Sequence, residues 1–192
     1  MSAVYPWGGE FVIGSQESCV AVVTLASAIA LPRDLVAIHG PMKTENIGIE
    51  KVVANVISNP RIRYLLLCGE EVRGHRSGAT MMALHLHGIG ERNRVVSAPG
   101  AVPYIENIDV GAVERFRAQV EIVDMIGCTD HGKIVEKVRE LLGKDPGSFG
   151  EPYLVERVKP QSHERRLSDI VALHRTLALD PYGEVRDVQL RD

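Results

Sequence analysis

The sequence has little that would suit a nucleic-acid-binding protein. Acidic residues outnumber basic ones by 25 to 22, the formal net charge is −3, and aromatic residues make up only 5% of the chain. Binding to a phosphate backbone needs a surplus of Lys and Arg, and single strands are held by stacking on aromatic rings. The composition therefore argues against nucleic acid as a partner.

Long apolar runs and clustered cysteines are also lacking. The longest apolar run, residues 20–31, is interrupted by Thr24 and Ser27 and is too short to cross a bilayer, and residues 1–10 contain no apolar signal segment. The three cysteines, at positions 19, 68 and 128, do not have the spacing of metal ligands. We therefore expect a cytoplasmic protein with reduced thiols and no transmembrane segment.

Short apolar runs alternate with helical patterns along most of the chain. Strands are predicted at residues 19–25, 35–40 and 64–69, with a weaker one at 94–97. Helical stripes begin after Thr44 or Asn46, after Ser77, after Asp109 and after Asp130. The third of these stripes runs through Val113, Phe116, Val120 and Val123. The alternation predicts an α/β fold with a Rossmann-like, mostly parallel sheet and helices on both faces.

The composition changes near residue 150. We expect residues 1–150 to form the α/β domain and residues 151–192 to form a polar extension. In this extension, residues 152–158 fit an added edge strand. Leu167, Ile170, Val171 and His174 fit one face of a further helix.

Three predicted loops are unusually rich in glycine, proline and polar residues: 40–46, 69–78 and 98–107. In open parallel sheets, ligands bind at the carboxyl ends of the strands, where such loops begin. None of the loops contains a dinucleotide fingerprint, a Walker sequence or a serine nucleophile elbow. The functional site is therefore expected at these loops, without any of these standard motifs.

The most reactive residue of the loops is His75, which lies between Gly74 and Gly78. Glycines allow a large flat ligand to approach the backbone, and a neutral imidazole can bind a metal while its second nitrogen is held by an acceptor. From the spacing alone, two interpretations stay open: His75 is a metal ligand, or it is an ordinary loop residue.

The pattern Gly-His-x-x-Gly matches part of the Asp-x-His-x-x-Gly motif of base-off corrinoid proteins. Arg73 stands where that motif has its aspartate. A different carboxylate is then required to hold the imidazole, and Glu45 on the neighbouring loop is the candidate. Glu45 and Lys43 are equally compatible with solvated loop charges.

Longer strings give the sequence a family resemblance. They lie at residues 17–25, 43–51, 54–60, 67–69, 72–75, 103–107 and 144–149. In this order they resemble the cobamide-binding A subunit of archaeal tetrahydromethanopterin S-methyltransferase. The resemblance covers the chain from about Tyr5 to Phe149.

The resemblance implies a Rossmann-type domain that binds a corrinoid, either cobalamin or 5-hydroxybenzimidazolylcobamide. His75 aligns with the family's axial histidine, so it is expected to be the catalytic residue and the lower axial ligand of cobalt. The residues expected around the cofactor are Thr44, Glu45, Asn46, Gly74, Ser77, Gly78, Thr80, Gly100, Pro103, Glu106 and Asn107. In the family's Gly-His-x-Thr-Gly-Gln-Ser context, this chain has Ser77, Ala79 and Thr80 in place of Thr, Gln and Ser. Contacts to the corrin side chains or to the lower nucleotide are therefore expected to differ.

The implied function is that of a methyl carrier. A methyl group passes from a methyl-tetrahydromethanopterin-type donor to a thiol such as coenzyme M, while cobalt cycles between Co(I) and methyl-Co(III). Partner subunits are expected to supply the donor and acceptor sites. The family's membrane-bound subunit ends in a transmembrane helix, whereas residues 161–192 here are polar. We therefore expect a cytoplasmic homologue without coupling to sodium transport.

Two alternatives of a different class remain open. One is a corrinoid-binding or storage protein without catalysis, and the other is a flavodoxin-like regulatory module that has lost its cofactor.

Overall fold

The structure, a computed structural model, describes residues 5–156 and the three strands Val171–His174, Leu177–Leu179 and Val185–Asp187. The chain divides into two units, residues 1–158 and residues 159–192. In the second unit the described strands form an antiparallel sheet, with Leu177–Leu179 in the middle.

Within residues 5–156, the strands form one mostly parallel sheet. They are β1 (Val12–Ile13), β2 (Val20–Val23), β3 (Ile38–Gly40), β4 (Tyr64–Gly69) and β5 (Glu121–Ile126). Their spatial order is β1-β3-β2-β4-β5, in which β1 is antiparallel to β3 and the other neighbours are parallel. This arrangement confirms the predicted α/β fold.

Helices cover both faces of this sheet. They are α1 (Ile47–Ser58), α2 (Ser77–His87), α3 (Val110–Gln119) and α4 (His131–Leu142). The buried side chains of α1, α2 and α3 pack on one face, and those of α4 pack on the other. Asp109 and Asp130 cap the starts of α3 and α4 with their side chains, as the sequence predicted, and of the two candidates for α1, Thr44 and Asn46, it is Asn46 that caps the helix.

The covered faces explain why β2 and β4 are continuous apolar runs. Leu65 and Leu67 pack towards α1, α2 and α3, whereas Leu66 packs towards α4, and all three are fully buried. Burial of each such side chain contributes about 1.5–3 kcal/mol. A strand with one face in water would alternate with polar residues instead.

The predicted helix through Val123 was wrong in its second half. Helix α3 ends at Gln119, and β5 begins at Glu121. Ile122 and Ile126 pack on the face of α1, whereas Val123 and Met125 pack on the face of α4. The apolar residues of β5 thus alternate between the faces, and only the coincidence of Val120 and Val123 with a helical period extended the stripe.

Two further predicted elements differ from the structure. Residues 94–97 form no strand but isolated antiparallel bridges, Ile89 with Val95 and Arg94 with Tyr104. Val171–His174 is a strand and not part of a helix, because it pairs with Leu177–Leu179. Residues 152–156 contain no strand. The predictions for Leu167 and Ile170 lie outside the described residues.

Gly69 ends β4 and starts the segment that carries His75. It has a φ of 83°, and a Cβ atom there would lie 2.2 Å from the Thr24 carbonyl oxygen and 2.9 Å from the Ser27 Cβ. Gly127 has a similar φ of 86°, but an added Cβ would meet nothing within 4 Å. The two glycines therefore share the backbone requirement, and only Gly69 also has a steric one.

We expect Gly69→Ala to lower the free energy of unfolding more than Gly127→Ala. Both variants place a side chain at positive φ, which costs roughly 1–2 kcal/mol, and the collision at residue 69 adds about 1–3 kcal/mol. Urea unfolding of the two variants measures the difference. Equal losses in the two variants would show that the Thr24 carbonyl moves away without cost.

Candidate functional site

Two of the three predicted loops lie together at the carboxyl edge of the sheet. The β3–α1 loop (residues 41–46) and the β4–α2 loop (residues 70–76) follow strands on either side of β2. The third, the 98–107 segment, does not follow a strand as predicted. It lies between α2 and α3 in the chain, and its backbone N–H groups reach the site through hydrogen bonds to Glu45 and Glu50.

His75 and Glu45 are in direct contact. The Nδ1 atom of His75 lies 2.7 Å from Oε2 of Glu45. The Glu45 side chain is 1% exposed, whereas that of His75 is 48% exposed. This contact confirms the prediction that Glu45 is the carboxylate partner of the imidazole.

The second oxygen of Glu45 accepts a hydrogen bond of 2.8 Å from the backbone N–H of Val102. Burial raises the pKa of the Glu45 carboxyl, but the N–H groups of Val102 and of Glu45 itself, together with His75, bring the pKa below its ordinary value. Glu45 is therefore a buried anion that holds loop residues from two other segments.

The ionised carboxylate determines the tautomer of a neutral His75. A carboxylate only accepts hydrogen bonds, so Nδ1 carries the proton and donates it to Glu45. The lone pair is then on Nε2, and no group in the described part of the chain hydrogen-bonds to that atom. The imidazole is thus fixed through Nδ1, while Nε2 is available to a metal.

Gly100 packs closely against this pair. A Cβ atom on Gly100 would lie 2.7 Å from Oγ1 of Thr80, 2.8 Å from Cγ of Glu45 and 2.8 Å from the His75 carbonyl oxygen. Thr80 is fully buried, and its hydroxyl is one of two buried side-chain polar groups without a hydrogen-bond partner among the described residues. The absence of a side chain at residue 100 is therefore a steric requirement of the site.

A second buried carboxylate fixes the end of the 98–107 segment. Glu50, on α1, is 1% exposed and accepts hydrogen bonds from the backbone N–H groups of Glu106 and Asn107. Its other oxygen accepts a bond of 2.7 Å from Nδ2 of Asn107. The segment is therefore tied to α1 rather than paired into the sheet.

A third carboxylate caps α2, the helix that follows His75. Glu71 accepts hydrogen bonds from the N–H groups of Gly78, at 3.1 Å, and Ala79, at 2.7 Å. Arg76 precedes the helix in the left-handed conformation, with φ 49°, and its side chain makes no capping bond. The start of α2 is thus already occupied by an acceptor of the chain itself.

The site provides one histidine as a metal ligand and, in the described residues, no set of further protein ligands around it. Nowhere in the described residues do three or more His, Cys, Asp or Glu side chains cluster in a way that could hold a metal ion. A metal at Nε2 of His75 would therefore have to bring its other ligands with it, as a macrocyclic cofactor does.

Comparison with known proteins identifies the family of the chain. The family model MtrA, which describes the A subunit of tetrahydromethanopterin S-methyltransferase, matches residues 3–166. The chain belongs to this family. The A subunit of Methanocaldococcus jannaschii is 52% identical over 154 residues, which are 77% of this chain and 64% of the relative. An A subunit of Methanobrevibacter ruminantium, numbered 2, is 48% identical over 163 residues, 83% of this chain and 84% of the relative.

The extent of the match differs between the relatives. This chain spans less than two thirds of some of them, such as 64% of the M. jannaschii protein and 63% of the M. ruminantium protein numbered 1. It spans 82% of the protein numbered 2 from Methanothermobacter marburgensis, to which it is 51% identical. No helix in the described residues has the length and apolar character that a membrane span requires.

In this family member, the predicted site residues fall into two groups. Glu45, Thr80 and Gly100 lie against one another beside His75. Most of the others contact other parts of the fold. The Ser77 hydroxyl donates to the Met42 carbonyl, and Gly78 packs on Leu25 and Ile126. The Pro103 carbonyl accepts the Val95 N–H, and the N–H groups of Glu106 and Asn107 donate to Glu50. Asn46 caps α1, Thr44 accepts from the Gly48 N–H, and Gly74, at φ 85°, has an open side with nothing within 4 Å.

Sequence reasoning missed Glu50, Glu71 and Val102. Glu50 is an acidic residue beside the buried Ile49 and one turn before the buried Val53, and an acidic residue inside an apolar face is a signal for a buried acceptor. Val102 contributes only its backbone N–H, which leaves no trace in the residue type.

The two buried hydroxyls of this site are expected to respond in opposite ways to removal. Thr80→Val deletes an unsatisfied hydroxyl without changing the volume, so we expect the unliganded protein to gain about 1 kcal/mol of stability. Ser77→Ala removes the bond to the Met42 carbonyl, 2.9 Å long, and is expected to lose about 1 kcal/mol. Thermal and urea unfolding measure both changes. A loss of stability in Thr80→Val would mean that its hydroxyl has a partner.

Proposed function

We propose that this chain binds a corrinoid, with Nε2 of His75 as the lower axial ligand of cobalt, and carries a methyl group between partner subunits. The observation that carries the proposal is the half-exposed imidazole whose Nδ1 is held 2.7 Å from the buried Glu45. A histidine that ligates a metal nearly always donates its other nitrogen in this way.

The surroundings of His75 fit a large flat ligand. Val102, whose N–H binds the partner of His75, is 50% exposed, and Tyr104 is 36% exposed, so the 98–107 segment offers exposed apolar surface. Gly74 leaves the backbone before His75 open, since a Cβ added there would meet nothing within 4 Å. Apolar surface with a few polar groups is what a cofactor site requires.

When bound, the corrinoid supplies a cobalt centre that accepts and gives up a methyl group. The protein's own contribution is to hold the imidazole of His75. Glu45 keeps the proton on Nδ1, which orients the imidazole and makes Nε2 a stronger donor. The Val102 N–H holds one carboxylate oxygen of Glu45, Gly100 packs against its Cγ, and the side chain is only 1% exposed.

Methyl donor and acceptor are assigned to partner subunits. The relatives are named as the A subunit of a tetrahydromethanopterin S-methyltransferase, so each is one component of a larger enzyme. We propose the same division here: a tetrahydromethanopterin-type donor and a thiol such as coenzyme M bind elsewhere, and this chain carries the methyl group between them.

The axial ligand is tested by electron paramagnetic resonance of the reduced cobalt(II) form. We expect each cobalt line of the reconstituted protein to be a triplet from 14N, and a doublet when the protein is labelled with 15N. His75→Ala should lose the splitting by the protein nitrogen, because the variant removes the Nε2 atom that is proposed to bind cobalt.

His87→Ala is the matched control, since His87 is exposed at the far end of the same helix α2. It is expected to retain the 15N doublet. Retention of the doublet in His75→Ala would refute the ligand assignment. Binding of cobalamin with its own base still on cobalt would refute it as well.

The role of Glu45 is tested by Glu45→Gln, which keeps the side-chain volume and removes the charge. We expect corrinoid affinity to fall by about 10–100-fold, the usual loss when such a partner of a ligating histidine is changed. An absorbance titration with hydroxocobalamin measures this, with exposed Glu91→Gln as the control. An unchanged affinity in Glu45→Gln would confine Glu45 to a structural role.

A carrier and a store differ in turnover. The loaded protein is expected to take up and release one methyl group per cobalt when it is mixed with methyltransferase partners. A protein that binds the corrinoid but neither gains nor loses the methyl group with any such partner would be a store.

A further inference from the structure

Two of the three cysteines come together where β4 and β5 end. Cys68 is the next-to-last residue of β4 and is paired with Met125 of β5. Cys128 is the second residue after the end of β5. Both are free thiols, and neither has a part in the proposed role of His75.

A turn folds Cys128 back towards Cys68. The N–H of Cys128 donates to the Met125 carbonyl at 2.9 Å, and Gly127, with φ 86°, supplies the left-handed residue of the turn. The Cys128 carbonyl then accepts the N–H of Gly69, the residue directly after Cys68, at 2.8 Å. Covalent geometry on either side of this hydrogen bond limits the separation of the two cysteine Cα atoms to at most about 8 Å, and any bend in the path shortens it. Disulfides join Cα atoms that are about 4.4–6.8 Å apart.

The two side chains also lie on the same face of the sheet. Cys68 is fully buried and belongs to the apolar cluster between the sheet and α4. Cys128 packs against the same cluster and is only partly buried. A disulfide needs side chains that point towards a common space as well as a suitable backbone spacing, and this pair has both.

The surroundings of the two thiols differ. Burial raises the pKa of the Cys68 thiol to about 12, with a smaller contribution from the nearby Cys128. Cys68 is therefore protonated at neutral pH and out of reach of a reagent in solution. Cys128 is the thiol that a reagent can reach. An accessible thiol beside a second, resolving thiol is the arrangement of reversible cysteine oxidation.

Cys19 provides an internal comparison. It directly precedes β2, and its carbonyl accepts the N–H of Tyr64, the first residue of β4, so it lies at the opposite end of the sheet from Cys68. Its side chain is fully buried, and its thiol lies 3.9 Å from the Leu141 carbonyl oxygen. We therefore expect Cys19 to stay unmodified in the folded protein.

We propose that Cys128 is a thiol-modification site for low-molecular-weight disulfides, and that Cys68 resolves the modified form by closing an intramolecular disulfide. In the first step the Cys128 thiolate attacks one sulfur of the reagent, forms a mixed disulfide and releases one thiolate. In the second step Cys68 loses its proton to that thiolate, attacks the Cys128 sulfur and displaces the second thiolate. The two protein thiols lose two electrons, and the reagent disulfide gains them and becomes two thiols.

The bond would lie at the base of the segment that carries His75. Gly69 starts that segment, and it donates to the Cys128 carbonyl while its own carbonyl accepts the Gly127 N–H at 2.8 Å. Oxidation would therefore fix a position that already joins β4 to the turn after β5. The inference does not depend on a corrinoid and is tested on the unliganded protein.

The test treats the full chain with 2-hydroxyethyl disulfide, blocks the remaining thiols with N-ethylmaleimide and identifies tryptic peptides by mass spectrometry. We expect the wild-type protein to lose two free thiols and to give a linked pair of peptides, residues 64–73 and 118–133. Cys19→Ser is the matched control and should give the same link. His75→Ala should give it as well.

Two variants separate the roles of the thiols. Cys68→Ala keeps an apolar side chain in the cluster, and we expect it to stop at the mixed disulfide on Cys128. Cys128→Ser should react at least tenfold more slowly than the wild-type protein, because its remaining thiols are buried. Urea unfolding of each variant shows whether it is folded under the conditions of the reaction.

The bond is also expected to suit the native fold. The oxidised wild-type protein should unfold at a higher urea concentration than the reduced one, because a cross-link restricts the unfolded chain. Dithiothreitol should reverse the change. Cys68→Ala, which forms no cross-link, should show no such increase after the same treatment.

Four results would overturn the proposal. They are an absence of reaction at Cys128, a folded wild-type protein that stops at the mixed disulfide, a link between residues 68 and 128 that forms only in urea, and an oxidised protein that unfolds at a lower urea concentration than the reduced one. The last result would show that the bond forms only by distorting the fold.

Discussion

The buried Glu45 carboxylate is the interaction on which the candidate site depends. One oxygen accepts Nδ1–H of His75 and the other accepts the N–H of Val102, so one side chain joins the two loops and the 98–107 segment. A buried acceptor that loses its donor costs about 1–3 kcal/mol, and a charged one costs more. The anion is stable here because several donors offset its desolvation, and the same donors fix the imidazole. Structure and proposed chemistry therefore use the same hydrogen bonds.

The sheet and most of its helices could be predicted because burial and helix capping require particular residue types at particular positions. β2 and β4 are buried on both faces and read as continuous apolar runs, and Asp109 and Asp130 mark helix starts by a local bond. The junction of α3 and β5 could not be predicted. Gln119 and Glu121 flank it with neither glycine nor proline between them, and only pairing with β4, remote in sequence, makes Glu121–Ile126 a strand. Val171–His174 was also missed, although its partner strand, Leu177–Leu179, is close in sequence.

The contacts of the site that are made by side chains could be predicted, whereas those made by backbone N–H groups could not. His75 and its partner Glu45 were found because the carboxyl ends of parallel strands meet at one edge. The reach of the 98–107 segment was expected for a wrong reason, since residues 94–97 form only isolated bridges. Its real ties are N–H groups of Val102, Glu106 and Asn107 on Glu45 and Glu50. Any residue except proline supplies such a donor, so composition gives no sign of it.

These ties also bear on how the site could be altered. Apart from the side chain of Asn107, the acidic residues of the β3–α1 loop and α1 recognise the 98–107 segment only through its peptide groups. The side chains of Val102 and Tyr104 are 50% and 36% exposed, and neither forms a hydrogen bond within the described part of the chain. Those positions are therefore free to change identity while the path of the chain stays the same. The side chains of the segment can be exchanged while its backbone hydrogen bonds are kept, so redesign for a different flat ligand can begin there.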